Sequence, residues 1–311
     1  MPVVTSDFLA GLRTQFEALF KMQFEAAQAL EGWPKLVSRI SSKGEQNTYN
    51  WFGTVPKVEK VTHGAATIHG LRPFNFTVLN EEWQAIIEVE RAAIERDRLD
   101  LITPRISQLA QELARHPGEL VYDQLVRANA TAFDGTAFFA DTRTIGDSGN
   151  IDNQFAGAGI TVANFQADLG TAQATMRKFK DDQGRPMNLV GNVIMVPPEM
   201  IQIAWQALNA NQGSILNPVV PATADGILSQ VGYMIASNPY LTDANDWYLF
   251  HVGPGQDRPF VWQVEKEPEI TADTNPNSAE AIKTRKFLYS GYARYNVAFT
   301  DPRYGTKITN T

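Results

Sequence analysis

Cysteine is absent from this chain of 311 residues. No disulfide can staple it, no thiol can serve as nucleophile, and no cysteine-ligated zinc can form. The absence is compatible with a reducing compartment. Positive charge is in deficit: 27 Lys and Arg face 34 Asp and Glu, a net charge of -7 at pH 7, with a pI of about 5.2. That balance argues against a dedicated DNA-binding domain, which carries a basic patch and a high pI, and leaves room only for weak contact through a local basic face. No stretch approaches the ~18 uninterrupted apolar residues of a membrane span. The start MPVVTSDFLAGLRTQF lacks the basic residues and apolar run of a signal peptide. The expectation is a soluble protein with no membrane contact, made in the cytoplasm and staying there unless it leaves inside a larger particle.

Motifs that carry chemistry are also missing. The four histidines are His63, His69, His116 and His251, and none has the i, i+4 partner of a zincin helix. His63 and His69 share one polar segment, where a metal would need a further ligand; solvated loop histidines are the reading adopted. The run Glu95-Arg96-Asp97-Arg98-Leu99-Asp100 alternates in sign. General acid/base work needs a pocket that drives two pKa values apart, whereas alternating charges screen one another, so this is a solvated or intersubunit salt-bridge face. Asp181-Asp182-Gln183-Gly184 lacks the twelfth-position carboxylate of a calcium loop and reads as a turn. There is no G-x-S-x-G, Walker loop or G-x-G-x-x-G after a strand, and Gly253-Pro254-Gly255 has no helix start behind it. No cofactor, metal or catalytic residue is expected and the chain reads as a non-enzyme, with the reservation that triads can assemble from distant residues.

What is present is a 43% hydrophobic content, enough for a sizeable core in one large domain or two. Phe8, Leu12, Phe16, Leu19 and Phe20 predict a helix from Ser6 to a stop at Gly32, its Phe-rich face serving core packing rather than a neighbouring subunit. From Tyr49 the period becomes two: Tyr49, Trp51, Gly53 and Val55, then Phe74, Phe76 and Val78, then Trp83, Ala85, Ile87 and Val89. Between them lies a polar tip with Lys57, Glu59, Lys60, His63 and His69. Such a long polar hairpin is marginal alone in water and must lie on something else. Thr103 and Pro104 predict the start of a long helix carrying Ile102, Ile106, Leu109 and Leu113, broken or kinked at Pro117 before Leu120, Val121, Leu125 and Val126. The loop 130–160 should hold a short strand at Phe138 and Phe139. A helix opens at Thr161, a strand covers 192–196, and a helix follows Pro197 and Pro198. After a loop at 211–226, strands are expected near 231–235, 247–252, 260–264 and 287–299. Separate strands and helices make this an α+β layout.

Several of these residues resemble one known family in order. They are Tyr49-Asn50-Trp51-Phe52-Gly53 with Pro56, Ile87-Glu88-Val89-Glu90-Arg91, Ile94-Glu95 and Leu99, His116-Pro117-Gly118-Glu119-Leu120-Val121, Asp134-Gly135 with Phe138-Phe139 and Asp141, and Gly291, Arg294, Tyr295 and Asn296. The set resembles the major head subunits of Mu-like bacteriophages, the gpT family. The resemblance implies a Hong Kong 97-type phage capsid fold: an N-terminal arm over 1–45, an extended loop hairpin over 46–98, a peripheral domain with its spine helix over 99–190, an axial domain over 191–258, and C-terminal strands returning to the peripheral domain over 259–311. It also implies a shell of hexamers and pentamers around a DNA genome held without sequence-specific binding, in a virion assembled in the host cytoplasm. A separate scaffolding protein, a portal and a decoration protein would be partners, the scaffold being separate unless the chain as given is already processed. Some relatives cross-link a loop Lys to an Asn; Lys57 and Lys60 lie in the loop but no acceptor is identified, and no cross-link is expected. Candidate intersubunit contacts are Trp51, Phe52, Lys57, Glu59, Lys60, Glu95, Arg96 and Arg98. Two other readings stay open: an encapsulin-like compartment of the same fold, and a soluble α+β enzyme with a domain-swapping arm.

Overall fold

The computed structural model describes residues 6–51, 74–95, 99–127, 131–209 and 232–310. Helix α1 (Ser6–Leu30) turns its Phe-rich face inward. Leu12, Phe16 and Phe20 are buried against Ile102, Ile106, Leu109 and Leu113 of helix α3 (Leu99–Val126). The predicted core role of that face is met within the chain.

A four-stranded sheet lies under the two helices in the order β1 (Val37–Ser41), β9 (Phe260–Asp273), β10 (Lys286–Phe299), β4 (Glu81–Glu90). β10 alternates buried and half-buried residues along all 14 positions. Its inward set, including Phe287, Tyr289, Tyr295, Val297 and Phe299, makes the period of two visible as packing. At Gly291 α3 comes so close that an added Cβ would stand 2.2 Å from Leu113 Cδ1. Between β4 and α3 sits the short helix α2 (Arg91–Glu95).

The second sheet has the order β5 (Gln154–Ala156), β11 (Gly305–Thr309), β8 (Trp247–Phe250), β6 (Val193–Val196), β7 (Met234–Ser237). β6 and β8 read Val-Ile-Met-Val and Trp-Tyr-Leu-Phe and are buried throughout. A strand covered on both faces has no reason to alternate. One face packs on α4 (Val162–Lys178) and α5 (Ile201–Asn209) through Phe165, Leu169, Met176 and Ala204. The other shares a core with the first sheet, where Val193, Met195 and Phe250 meet Phe260, Trp262 and Tyr295. β2 (Gln46–Trp51) and β3 (Phe74–Leu79) form a separate two-stranded ribbon. A short helix α6 (Ala279–Thr284) joins β9 to β10, capped by the Ser278 hydroxyl accepting from the Ala281 N–H.

The α4 start is as expected, with Thr161 Oγ1 accepting from the Asn164 N–H. Three expectations need correction. α3 begins at Leu99, so Thr103 lies inside it, and it is one continuous helix across Pro117 rather than two broken segments. Packing overrides the proline there: Gly118, lacking a Cβ, lets the buried Trp33 ring lie on the helix, and His116 Nδ1 is 2.8 Å from the Tyr295 hydroxyl. Phe138 and Phe139 are not a strand. The buried Arg143 guanidinium donates to the carbonyls of Thr136, Ala137 and Phe138, taking acceptors that a neighbouring strand would need. β9 extends to Asp273, well past the predicted 260–264. β4, which falls within the 46–98 segment expected as the extended loop hairpin, pairs along its length with β10 in register from Glu81↔Tyr295 to Glu90↔Lys286.

Candidate assembly surfaces

The ribbon is the first such surface. Its antiparallel register runs from Gln46↔Leu79 to Trp51↔Phe74. Tyr49 and Phe76 are direct partners with rings stacked 5.1 Å apart, and the Thr48 and Thr77 hydroxyls lie 3.0 Å apart. Cross-strand pairs of these kinds are what two strands alone can offer, and they are too few for independence.

The ribbon is held at its root by a buried amide. Gln263, on β9, has no exposed surface. Its Oε1 accepts from the Tyr49 hydroxyl at 2.6 Å, and its Nε2 donates to Val78 O at 3.1 Å and Asn80 Oδ1 at 2.8 Å. Asn80 Nδ2 in turn donates to Ser42 Oγ and Gly44 O, and Asn296 Nδ2 donates to Leu79 O at 2.8 Å. Burial pushes the Tyr49 phenol up from its ordinary range, against the Asn47 hydrogen bond that lowers it, so the hydroxyl stays a donor. Sequence reasoning missed Gln263 and Asn80, and named Asn296 only for the family resemblance. The available signal was an amide inside the apolar run Phe260-Val261-Trp262-Gln263-Val264, since a buried amide requires partners.

A second polar cluster sits where α3 crosses β4 and β10. The His116 ring lies 4.3 Å from that of Trp83, whose Nε1 donates to Tyr295 O at 3.0 Å. Burial lowers the imidazole below its ordinary 6.5, while Glu119, Glu112 and Glu81 pull the other way. Arg115 bonds both Glu112 oxygens at 2.8 and 2.9 Å, and Glu119 accepts from the Tyr240 hydroxyl. His116, through Trp83 and Tyr295, ties α3 to the sheet, and Glu119 ties it to the segment after β7 through Tyr240. Among the described residues no group of His, Asp and Glu is arranged to hold a metal ion, and no helix is long and apolar enough to cross a membrane.

Of the candidate contacts, Trp51 ends β2 opposite Phe74, and Glu95 ends α2. Phe52, Lys57, Glu59, Lys60, Arg96 and Arg98 lie outside the described residues, as do His63 and His69.

Residues 80–308 match the model of a family described as phage capsid protein. The chain belongs to that phage capsid family. Its match to the Mu-like prophage FluMu major head subunit of Haemophilus influenzae is 27% identical over 162 residues, 52% of each chain. That to the major capsid protein of Escherichia phage Mu is 24% identical over 139 residues, 44% of each. The chain spans about half the length of the curated relatives it matches. The procapsid structure of bacteriophage JBD30 superposes over 99% of this chain and 77% of that one, with a TM-score of 0.57 and 19% identity. The fold is therefore the α+β Hong Kong 97-type phage capsid fold that the sequence resemblance implied. The family match begins at residue 80, after α1 and the two ribbon strands.

Proposed function

We propose that this chain is the major head subunit of a tailed phage or prophage, whose copies assemble into the icosahedral shell around its DNA genome. The observation that carries the reading is the capsid-family match over 80–308. The ribbon rooted on Gln263 supports it, because a marginal two-stranded arm fixed firmly at one end is suited to lie across a second copy. On this reading the arm reaches from the N-terminal side of the peripheral sheet, β4 is the strand by which it joins that sheet, α3 is the spine helix, and β6, α5, β7 and β8 build the axial domain. Trp51, Phe52, Lys57, Glu59, Lys60, Glu95, Arg96 and Arg98 face neighbouring copies. Each contact is individually modest because association consumes much of the gain from buried area, but a subunit held by many neighbours dissociates only when all release it.

The chain then works as a structural protein rather than a catalyst, in hexamers and pentamers, with a separate scaffolding protein, a portal and a decoration protein as partners, and it is assembled in the host cytoplasm. Electron microscopy of the purified protein tests this directly. Closed icosahedral particles that contain DNA when made in the native host are the expected result. Particles carrying a cargo enzyme and no nucleic acid would move the assignment to a compartment shell, and a subunit monomeric at high concentration would overturn it.

A further inference from the structure

β4 is an edge strand. Among the described residues it pairs on one side with β10 and carries no strand on the other. The outer backbone edge of this ten-residue strand, where alternate N–H and C=O groups meet no strand among the described residues, is a template for another extended chain. Two open grooves of about 960 and 610 Å³ run beside it; the first is walled by α1 and α3, the second by α2 and α3, and they share Ile87 and Arg105. At the centre of the strand Ile86 is 54% exposed.

The charge on this edge decides what can dock there. Glu81-Glu82-Trp83-Gln84-Ala85-Ile86-Ile87-Glu88-Val89-Glu90 holds four carboxylates, two at each end, and no cation of its own. Lys286, opposite Glu90 on β10, bridges to Glu88, and Arg105 lines both grooves. Two copies of β4 pairing antiparallel about a two-fold axis would bring Glu81 and Glu82 of one against Glu88 and Glu90 of the other. Like charges placed opposite each other destabilise a strand pair, so the edge repels its own copy. We infer that the free edge of β4 is a strand-addition site for an extended segment of a partner protein that is apolar in its middle and basic at both ends.

The inference is independent of the shell reading, because binding is measured on the subunit whether or not it assembles. The probe is a synthetic peptide of alternating Val and Thr with two Lys at each end; its control carries Glu in place of Lys. Fluorescence anisotropy with the full chain should show the Lys-ended peptide binding at least about tenfold more tightly than the control, from a few charge pairs acting together. The preference should shrink as added salt shortens the Debye length from ~10 Å to ~3 Å. Hydrogen exchange should slow at residues 85–90 on binding. The double variant Glu82→Lys/Glu90→Lys, checked by circular dichroism, leaves one carboxylate and one ammonium at each end of the strand and should abolish the preference. If that variant does not fold, the contrast between the two peptides on the unaltered chain decides. Equal binding of both peptides, no binding of either, or binding without protection at 85–90 overturns the assignment.

Discussion

The buried Gln263 amide serves the arm in a way no apolar residue of its size could. Gln263→Leu would leave Val78 O, Asn80 Oδ1 and the Tyr49 hydroxyl short of a partner. Unsatisfied buried polar groups cost about 1–3 kcal/mol each, partly relieved where water enters. The expected outcome is a loss of subunit stability within that range in urea denaturation, with faster hydrogen exchange at 46–49 and 76–79; unchanged exchange there would show that the root is held by something else. Gly118→Ala sets two effects against each other. Alanine gains up to about 1 kcal/mol of helix propensity, but its Cβ would stand 2.5 Å from Cδ1 of the buried Trp33. A rigid ring cannot yield at its tip as a leucine can, and overpacking costs about 1–3 kcal/mol, so net destabilisation is expected from thermal melts. His116 gives a pH dependence of definite sign. Its folded pKa lies below 6.5 because of burial, so just below that value the unfolded chain binds more protons. Stability is therefore full above 6.5 and falls as pH drops through 6.5 towards the folded value. His116→Gln should flatten the change in denaturation midpoint between neutral and mildly acidic pH, and a variant with the same pH profile as the parent would refute the assignment.

α3 shows a helix kept whole by its neighbours. Pro117 removes one N–H from the ladder and leaves the Leu113 carbonyl without its helical partner, yet the helix continues for nine residues to Val126. Trp33 on Gly118, the His116–Tyr295 contact and the buried Val121 hold both halves on the sheet. Pro117→Ala should restore the missing bond and raise subunit stability by up to about 3 kcal/mol, the ordinary cost of an interior proline. A loss of stability in chemical denaturation would mean instead that the packing on Trp33 depends on the proline. The β2–β3 ribbon is the opposite case, an element whose local pairing was readable but whose stability comes from an amide 214 positions away from Tyr49 in sequence.

At the scale of the whole molecule, two sheets, α1 with α3, and α4 with α5 build three hydrophobic cores from the described residues. Deleting residues 58–70 should therefore leave the urea midpoint of the isolated subunit nearly unchanged while lowering particle yield and particle stability, counted by electron microscopy. Equal particle yield from the shortened chain would remove the arm from the account of assembly. The acidic edge of β4 belongs to this scale too, since it limits which surfaces of two copies can meet.

Periodicity along the chain was sufficient for α1, α4 and β10, because their apolar spacing reports which face is dry and the dry face is what folds inward, while β6 and β8 were readable as short continuous apolar runs. The ordered residues from Tyr49 to Asn296 were sufficient for the family. Other features depended on residues far apart in sequence. β1 pairs in parallel with β9, and five residues bearing Arg39 between Ser38 and Ile40 carry little signal of their own. Phe138 lost its strand to Arg143, a competitor for backbone acceptors that no local pattern announces. β4 carries the same alternation as the ribbon strands before it, and only its pairing partner separates them: β3 meets β2, while β4 meets β10. Local chemistry determines whether a segment is extended and which face is dry, whereas the choice of neighbour comes from long-range packing, and in this protein that choice separates the arm from the body that holds it.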